Sequence, residues 1–478
     1  MTRPGILWYS RFVDPIAQTR SGAVRGAVDG AISSFKGIPF AGPLTGAARF
    51  QAPTEPERWD GTRDALRFSA SPPQGTSVRG APPLWQPGEG DDSLSVNVWT
   101  PDPGGSGLPV MVWIYGGAYL VGSTNQPDYD GTTLARAGVV VVTLNYRVGF
   151  EGFGWLPGAP ANRAFLDQLA ALHWVQDNIA HFGGDPGNVT IFGQSAGGTS
   201  VAALTASDAG RGLFRKAIGQ SIADGFLSDD RVRATTERIA RALGVPATLE
   251  GFARVPSEAI HAVQLVPGEY TPYGPVIDGD LLTDRPWRNL RAEVDLIAGA
   301  THDEFALFVA GGDLSGVDPA ATADTAGLPA AAVAEYRAAN PGISDADLHV
   351  LILSDHTFRM PSLWSAQNHP GRSWFYELTW ETPALGGILR SCHGLDVPLT
   401  FGNFTGPLGE MLLGNPAPPE AASLSKEIRK AWVSFATSGD PGWPEYGKDN
   451  RLTQIWDVPV SVTSDPMSGS RRIWEAAA

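Results

Sequence analysis

Val189-Thr-Ile-Phe-Gly-Gln-Ser195-Ala-Gly-Gly-Thr-Ser-Val-Ala-Ala-Leu204 reads as a β-branched run, a glycine-flanked serine, and a run of small helix-compatible residues. Asn188 to Phe192 predicts a strand, and Ala196 onward predicts a helix opening directly after it. The turn between them, Gly193-Gln194-Ser195-Ala196-Gly197, fits G-x-S-x-G, in which a strand turns sharply into a helix with serine at the tip. The serine backbone of such a turn is strained, and glycines two residues to either side let strand and helix pass without Cβ clashes. The hydroxyl is thereby lifted out of the sheet. The helix N-terminus presents its N–H groups where negative charge would develop on a reacting carbonyl.

The flanking sequence supplies the elements this turn needs. Leu108-Pro-Val-Met-Val-Trp-Ile-Tyr115 and Val139-Val-Val-Val-Thr-Leu-Asn145 are continuous apolar runs. Apolar on both faces, they suit strands inside a parallel sheet covered by helices. Phe165, Leu169, Leu172, Val175, Ile179 and Phe182 recur three or four apart, which predicts a helix over about Ala164 to Phe182, closed by Gly183-Gly184. Strand, helix and strand in that order predict a right-handed crossover in an α/β sheet. Val294 to Ala298 and Ser373 to Leu378 read as later strands, and Ser425 to Thr437 as a late amphipathic helix.

The 57 glycines and 39 prolines are scattered, with no long linker, so residues 1–478 are expected to form one large domain carrying insertions. Met1 to Pro15 shows no pattern, and residues 1–18 are expected to be disordered or an atypical N-terminal extension. A content of 42% hydrophobic and 18% charged residues is that of a globular chain. A formal charge of −15 disfavours nucleic acid and anionic membranes as partners. Cys392 is the only cysteine, so no internal disulfide forms. No run approaches the ~20 apolar residues of a membrane span, and Arg3, Arg11 and Asp14 break up the N-terminal apolar stretch. A cytoplasmic protein is the expectation. Neither H-E-x-x-H nor a phosphate-cradling loop occurs, so no metal or organic cofactor is expected.

Acyl-transfer intermediates need backbone donors from two directions. One candidate is the N–H of Ala196. The others are Gly117 and Ala118, in Tyr115-Gly116-Gly117-Ala118-Tyr119 behind the Met111 to Ile114 strand, with Gly116 in support.

Together these segments resemble the type-B carboxylesterase and cholinesterase family, closest in character to its bacterial p-nitrobenzyl-esterase-like members. The resemblance covers roughly residues 20–457. Its segments include Ser34-Phe-Lys-Gly-Ile-Pro-Phe-Ala41, Asp92-Ser-Leu-Ser-Val-Asn-Val-Trp99, Asn145-Tyr-Arg-Val-Gly149, Phe182-Gly-Gly-Asp-Pro186, Phe214-Arg-Lys-Ala-Ile218, Pro275-Val-Ile-Asp-Gly279 and Gly439-Asp-Pro441. It implies an α/β-hydrolase fold, a large and mostly parallel sheet flanked by helices with insertions around an active-site gorge. It also implies hydrolysis of small-molecule carboxylic esters by a Ser-His-Glu triad through an acyl-enzyme, without a cofactor.

Residue by residue, the triad serine is Ser195. Of eight histidines, His393 lies in Cys392-His-Gly-Leu-Asp-Val-Pro398 leading into Phe401-Gly-Asn-Phe404, which resembles the family's histidine loop. The acid maps to Glu304 in Gly299-Ala-Thr-His-Asp-Glu-Phe305, with Phe305 where the family has glycine. Ser221 matches a family serine near the acid and is expected to hydrogen-bond the Glu304 carboxylate. Gln194 stands where many members carry glutamate, which implies a weaker field for cationic substrates. Tyr119, Trp155 and Trp380 are candidate pocket aromatics. The form Gly116-Gly117-Ala118-Tyr119 implies tolerance of bulky or tertiary-alcohol esters. Two rivals remain: the same triad cleaving carbamates or amides, and a non-catalytic cholinesterase-like adhesion module.

Overall fold

The structure, a computed structural model, describes residues 14–75, 83–90, 92–265 and 272–477. Eleven strands form its main sheet. In chain order they are β1 (Ala27–Asp29), β2 (Ile32–Pro39), β3 (Ser95–Thr100), β4 (Leu108–Ile114), β5 (Val140–Leu144), β6 (Gly184–Gln194), β7 (Lys216–Gln220), β8 (Asp295–Thr301), β9 (Ser373–Leu378), β10 (Leu452–Trp456) and β11 (Ser461–Ser464). Across the sheet they run β11-β10-β9-β8-β7-β6-β4-β5-β3-β2-β1. The seven strands from β10 to β5 are mutually parallel, and the antiparallel pairs lie at the two edges. Val110 to Ile114 and Val140 to Val142 are fully buried, as strands covered on both faces must be.

Helix α1 (Arg163–Asn178) connects β5 to β6 and ends in a 3-10 turn, Ile179–Phe182. The single helix expected over 164–182 is thus tightened in its last turn, and Gly183 at φ 88° closes it. Strand β6 extends beyond the Asn188 to Phe192 run at both ends, pairing with β4 as far back as Gly184 and with β7 as far on as Gln194. The late helix α4 (Pro419–Ser438) starts six residues before its apolar stripe suggested, from a proline that suits a first turn. Helices α2 (Ala196–Ala206) and α3 (Asp396–Phe401) lie between. A separate three-stranded sheet joins Ile16–Gln18, Ala23–Arg25 and Thr62–Asp64. Residues 16–18 are therefore a paired strand and not a disordered start, their backbone satisfied by Ala23–Arg25. The remainder of the N-terminal expectation, residues 1–13, lies outside the described residues.

The loop after β5 is fastened by buried ions. Arg147 grips Asp167 with Nε to Oδ2 at 2.8 Å and Nη2 to Oδ1 at 2.6 Å, and its Nη1 donates to the carbonyls of Arg49 and Gln51. Such a bidentate pair fixes direction as well as distance. It ties the N-terminal segment to the chain beneath the site.

Candidate active site

Four neighbouring strands end side by side, and the loops that follow β4, β6 and β8 emerge at one edge of the sheet. Ile114 of β4 pairs with Gly193, Gln194 with Gln220 of β7, and Gln220 with Gly299 of β8. In open α/β sheets this edge, at the carboxyl ends of the strands, is where ligands bind.

Ser195 follows β6 and precedes α2, with φ 59° and ψ −126°, a conformation that side chains seldom adopt. Its N–H donates to the Gln220 carbonyl at 2.9 Å, and its carbonyl accepts from Thr199 N at 2.8 Å, so the strained turn is held from both sides. Gly197 is compulsory: a Cβ there would stand 2.0 Å from the Ile114 carbonyl oxygen. Ser195 itself is partly exposed although the residues around it are buried.

The loop after β4 packs against this turn. A Cβ on Gly116 would lie 2.6 Å from the Gln194 carbonyl oxygen and 3.0 Å from Ser195 Cβ. Gly117, Ala118 and Tyr119 follow with φ of 119°, 55° and 56°, a run of left-handed backbone held by Leu120 and Val121 N–H groups on the Gly117 carbonyl. Successive backbone amides in such a turn form a concavity suited to an anion.

Glu304 lies just past β8 and His393 in the loop after β9. Backbone bonds zip the two loops together, Asp303 N to Ser391 O at 2.9 Å and His393 N to Glu304 O at 3.2 Å. Glu304 is fully buried: Oε1 accepts from Thr301 N at 2.9 Å and Oε2 lies 2.5 Å from His393 Nδ1. A carboxylate there keeps the ring proton on Nδ1 and leaves the lone pair on Nε2. The group at His393 Nε2 is the Gln194 side-chain nitrogen, 3.2 Å away. Asp303 faces Arg390 at 3.7 Å. Phe305, in place of the family glycine, has φ −77° and ψ −8°, so the position asks nothing special of its backbone.

Ser221 departs from its expected role. Its hydroxyl is buried with no hydrogen-bond partner, and the contacts of the Glu304 carboxylate are the Thr301 N–H and His393 Nδ1. The Ser221 N–H instead extends the sheet edge by donating to the Gly299 carbonyl. Tyr119 turns into the core, its hydroxyl 3.2 Å from Ser200 Oγ and its ring edge-on to Phe153. Trp155 stacks on Arg233, and Trp380 is buried.

The aromatics at the histidine are two that sequence reading missed. Phe358 and Phe308 lie 4.2 and 5.2 Å from the His393 ring, centroid to centroid. Phe308 is one turn beyond Glu304, a spacing that could have flagged it; Phe358 carries no local signal. Asp396 lies three residues beyond His393 and is buried. Burial pushes its carboxyl up to about 6, while Tyr376 Oη donates to it at 2.8 Å.

A serine at the tip of a strand-to-helix turn, above a largely parallel sheet of this order, marks the chain as an α/β-hydrolase. The sequence profile of the carboxylesterase family matches residues 13–465, and the chain belongs to that family, whose members are carboxylic ester hydrolases. It is 36% identical over 489 residues to the para-nitrobenzyl esterase of Bacillus subtilis, covering 96% of this chain and 98% of that protein. It is 32% identical to the phenmedipham hydrolase of Pseudarthrobacter oxydans, covering 94% and 97%. A solved carboxylesterase of Geobacillus stearothermophilus superimposes with a TM-score of 0.86 at 34% identity, covering 96% of this chain and 99% of that one. Among the described residues no helix is long and apolar enough to cross a membrane.

Proposed function

We propose that the chain hydrolyses small carboxylic esters through an acyl-enzyme on Ser195, with His393 as base and Glu304 orienting it. The observation that carries this reading is the 2.5 Å contact between Glu304 Oε2 and His393 Nδ1, at the same sheet edge as the strained Ser195 turn. Ser195 Oγ attacks the ester carbonyl as its proton passes to His393 Nε2. The tetrahedral oxyanion is received by the N–H groups of Gly117, Ala118 and Ala196. Collapse breaks the ester C–O bond, and the proton on Nε2 leaves with the alcohol. Water then repeats the sequence on the acyl-serine, which releases the acid and restores Ser195.

The Phe308 and Phe358 rings make one wall of the site apolar, which suits acyl or aryl groups without charge. The left-handed backbone of Gly117 to Tyr119 favours an open oxyanion loop, and tertiary-alcohol esters are the substrates that would use that room. The test is labelling by a fluorophosphonate with mapping of the adduct, alongside kcat/KM for matched p-nitrophenyl esters and carbamates. Adduct on Ser195 with ester preference is expected. Adduct elsewhere, or full activity in Ser195→Ala, overturns the assignment, and a strong carbamate preference replaces the substrate class.

A further inference from the structure

A cavity of about 340 Å³ lies among the loop that carries Glu304, the helices Ala331–Ala339 and Asp345–Ser354, and α5 (Ser468–Ala477). That volume falls at the small end of the range for small-molecule sites. Ser195, Gly117, Ala118, Glu304 and His393 take no part in its lining. We infer that the cavity binds a small carboxylate with a short apolar chain, at a second ligand site separate from the Ser195 turn. The inference stands independently of the activity proposed above.

Charge selects the ligand. Arg359, Arg390 and Arg472 line the cavity, and the first two are already engaged. Arg359 is 1% exposed; one Nη binds Asp355 and the other donates to the His302 carbonyl. Its Nε, 4.0 Å from Glu377, makes no hydrogen bond. Arg390 stands between the two carboxylates of the lining, 2.5 Å from Asp347 and 3.7 Å from Asp303, so neither aspartate faces a ligand uncompensated. Arg472 differs: among the described residues it has no carboxylate partner. It folds back along α5, its Nε donating to the Ser468 carbonyl at 3.0 Å and its Nη2 lying 3.4 Å from the Ser468 hydroxyl. Asp465, just before α5, is gripped instead by Arg471 at 3.0 and 2.6 Å.

The guanidinium of Arg472 is thereby held at the first turn of α5, whose Ser468, Gly469 and Ser470 also line the cavity. The leading N–H groups of a helix add partial positive charge there, and the two serine hydroxyls add donors. Gly469 seats α5 closely on its neighbour, since a Cβ there would stand 2.9 Å from Ala339 Cβ. One full positive charge, answered by no anion of the protein, calls for a ligand carrying one negative charge. Planar, paired oxygens suit a guanidinium best, which makes the anion a carboxylate. The lining continues with Ile343, Leu351 and Met467. A bare inorganic anion would leave that apolar surface in water, whereas a short alkyl chain covers it.

The experiment is a saturation-transfer NMR titration of the full chain with hexanoate, compared with acetate and hexanamide, and with inorganic phosphate as competitor. Wild type and Arg472→Gln are titrated, each also after treatment with a fluorophosphonate to fill the Ser195 site. Hexanoate is expected to bind with a Kd on the order of 1 mM, the scale for a ligand of about eight non-hydrogen atoms. Acetate and hexanamide are expected to bind at least about tenfold more weakly, one lacking the chain and the other the charge. Arg472→Gln should weaken hexanoate by about tenfold or more, the size of a charge-assisted hydrogen bond, with Tm unmoved because the side chain is exposed. Binding that survives the fluorophosphonate supports the second site. Affinity unchanged in Arg472→Gln overturns the inference, as does binding abolished by the fluorophosphonate. Hexanamide binding as tightly as hexanoate, phosphate displacing it at equal concentration, or no saturation transfer at tens of millimolar would each overturn it too.

Discussion

Glu304→Gln changes one buried oxygen for an NH₂ and should disable the proposed enzyme without unfolding it. The two carboxylate oxygens are not equivalent: Oε1 accepts from the Thr301 N–H, and Oε2 faces His393 Nδ1. The backbone donor cannot change sign, so the amide oxygen takes the Oε1 place and the amide nitrogen takes the other. His393 Nδ1 must then accept, and its proton moves to Nε2. There it points at the Gln194 amide nitrogen and is no longer a base toward Ser195. Loss of the tautomer is worth about 10⁴ in kcat in a triad of this kind, or roughly 5.5 kcal/mol of barrier. The residual donor conflict should cost about 1–3 kcal/mol of stability, small beside the kcat effect. Pre-steady-state release of p-nitrophenol measures the first quantity, and urea unfolding followed by circular dichroism the second. A variant with kcat within tenfold of wild type and an unchanged pH profile would refute the reasoning.

Gly197→Ala places a methyl group 2.0 Å from the Ile114 carbonyl, a backbone atom of the sheet that cannot step aside. Destabilisation of about 3 kcal/mol and loss of Ser195 labelling are expected in urea titration and probe assays; retention of both would show that the turn can relax. Asp396→Asn should have a pH-dependent effect on stability. Because burial lifts the folded-state value to about 6, above the ~3.9 of an unfolded chain, folding favours the neutral acid. Native stability therefore falls as pH rises through that window and stays low above it. The substitution should add roughly 2–3 kcal/mol at pH 8 and little at pH 4.5, and an equal gain at both would reject the assigned burial effect. Phe308→Ala removes a ring that is 38% exposed, so the unfolding free energy should move by about 1 kcal/mol or less. KM for aryl esters should rise several-fold with kcat nearly kept, and an effect on kcat alone would place the ring elsewhere in the mechanism.

Much of this protein is written locally. The β-branched run before Ser195, the glycines around it and the small residues after it specify strand, elbow and helix within sixteen residues, because backbone sterics and side-chain period act over that range. The buried strands at Leu108–Ile114 and Ser373–Leu378 were legible for the same reason. Family resemblance then pointed to Glu304 and His393, and the structure brings that pair into contact.

What the tertiary structure alone decided are the contacts across long separations. The chain contains two histidine–glutamate pairs in this region: His393 with Glu304 at 2.5 Å, and His302 with Glu377 at 2.7 Å. Nothing in residue type separates them. Tertiary contacts do: His393 meets Gln194 beside Ser195, whereas Glu377 and the His302 carbonyl meet Arg359. The same holds for Gln194, whose amide meets a ring 199 residues further on, and for Ser221, whose buried hydroxyl makes no hydrogen bond. Periodicity encodes which face of an element is buried. Which atoms meet there depends on how the strands are ordered and how their ends are aligned, and that is settled only when the whole sheet assembles.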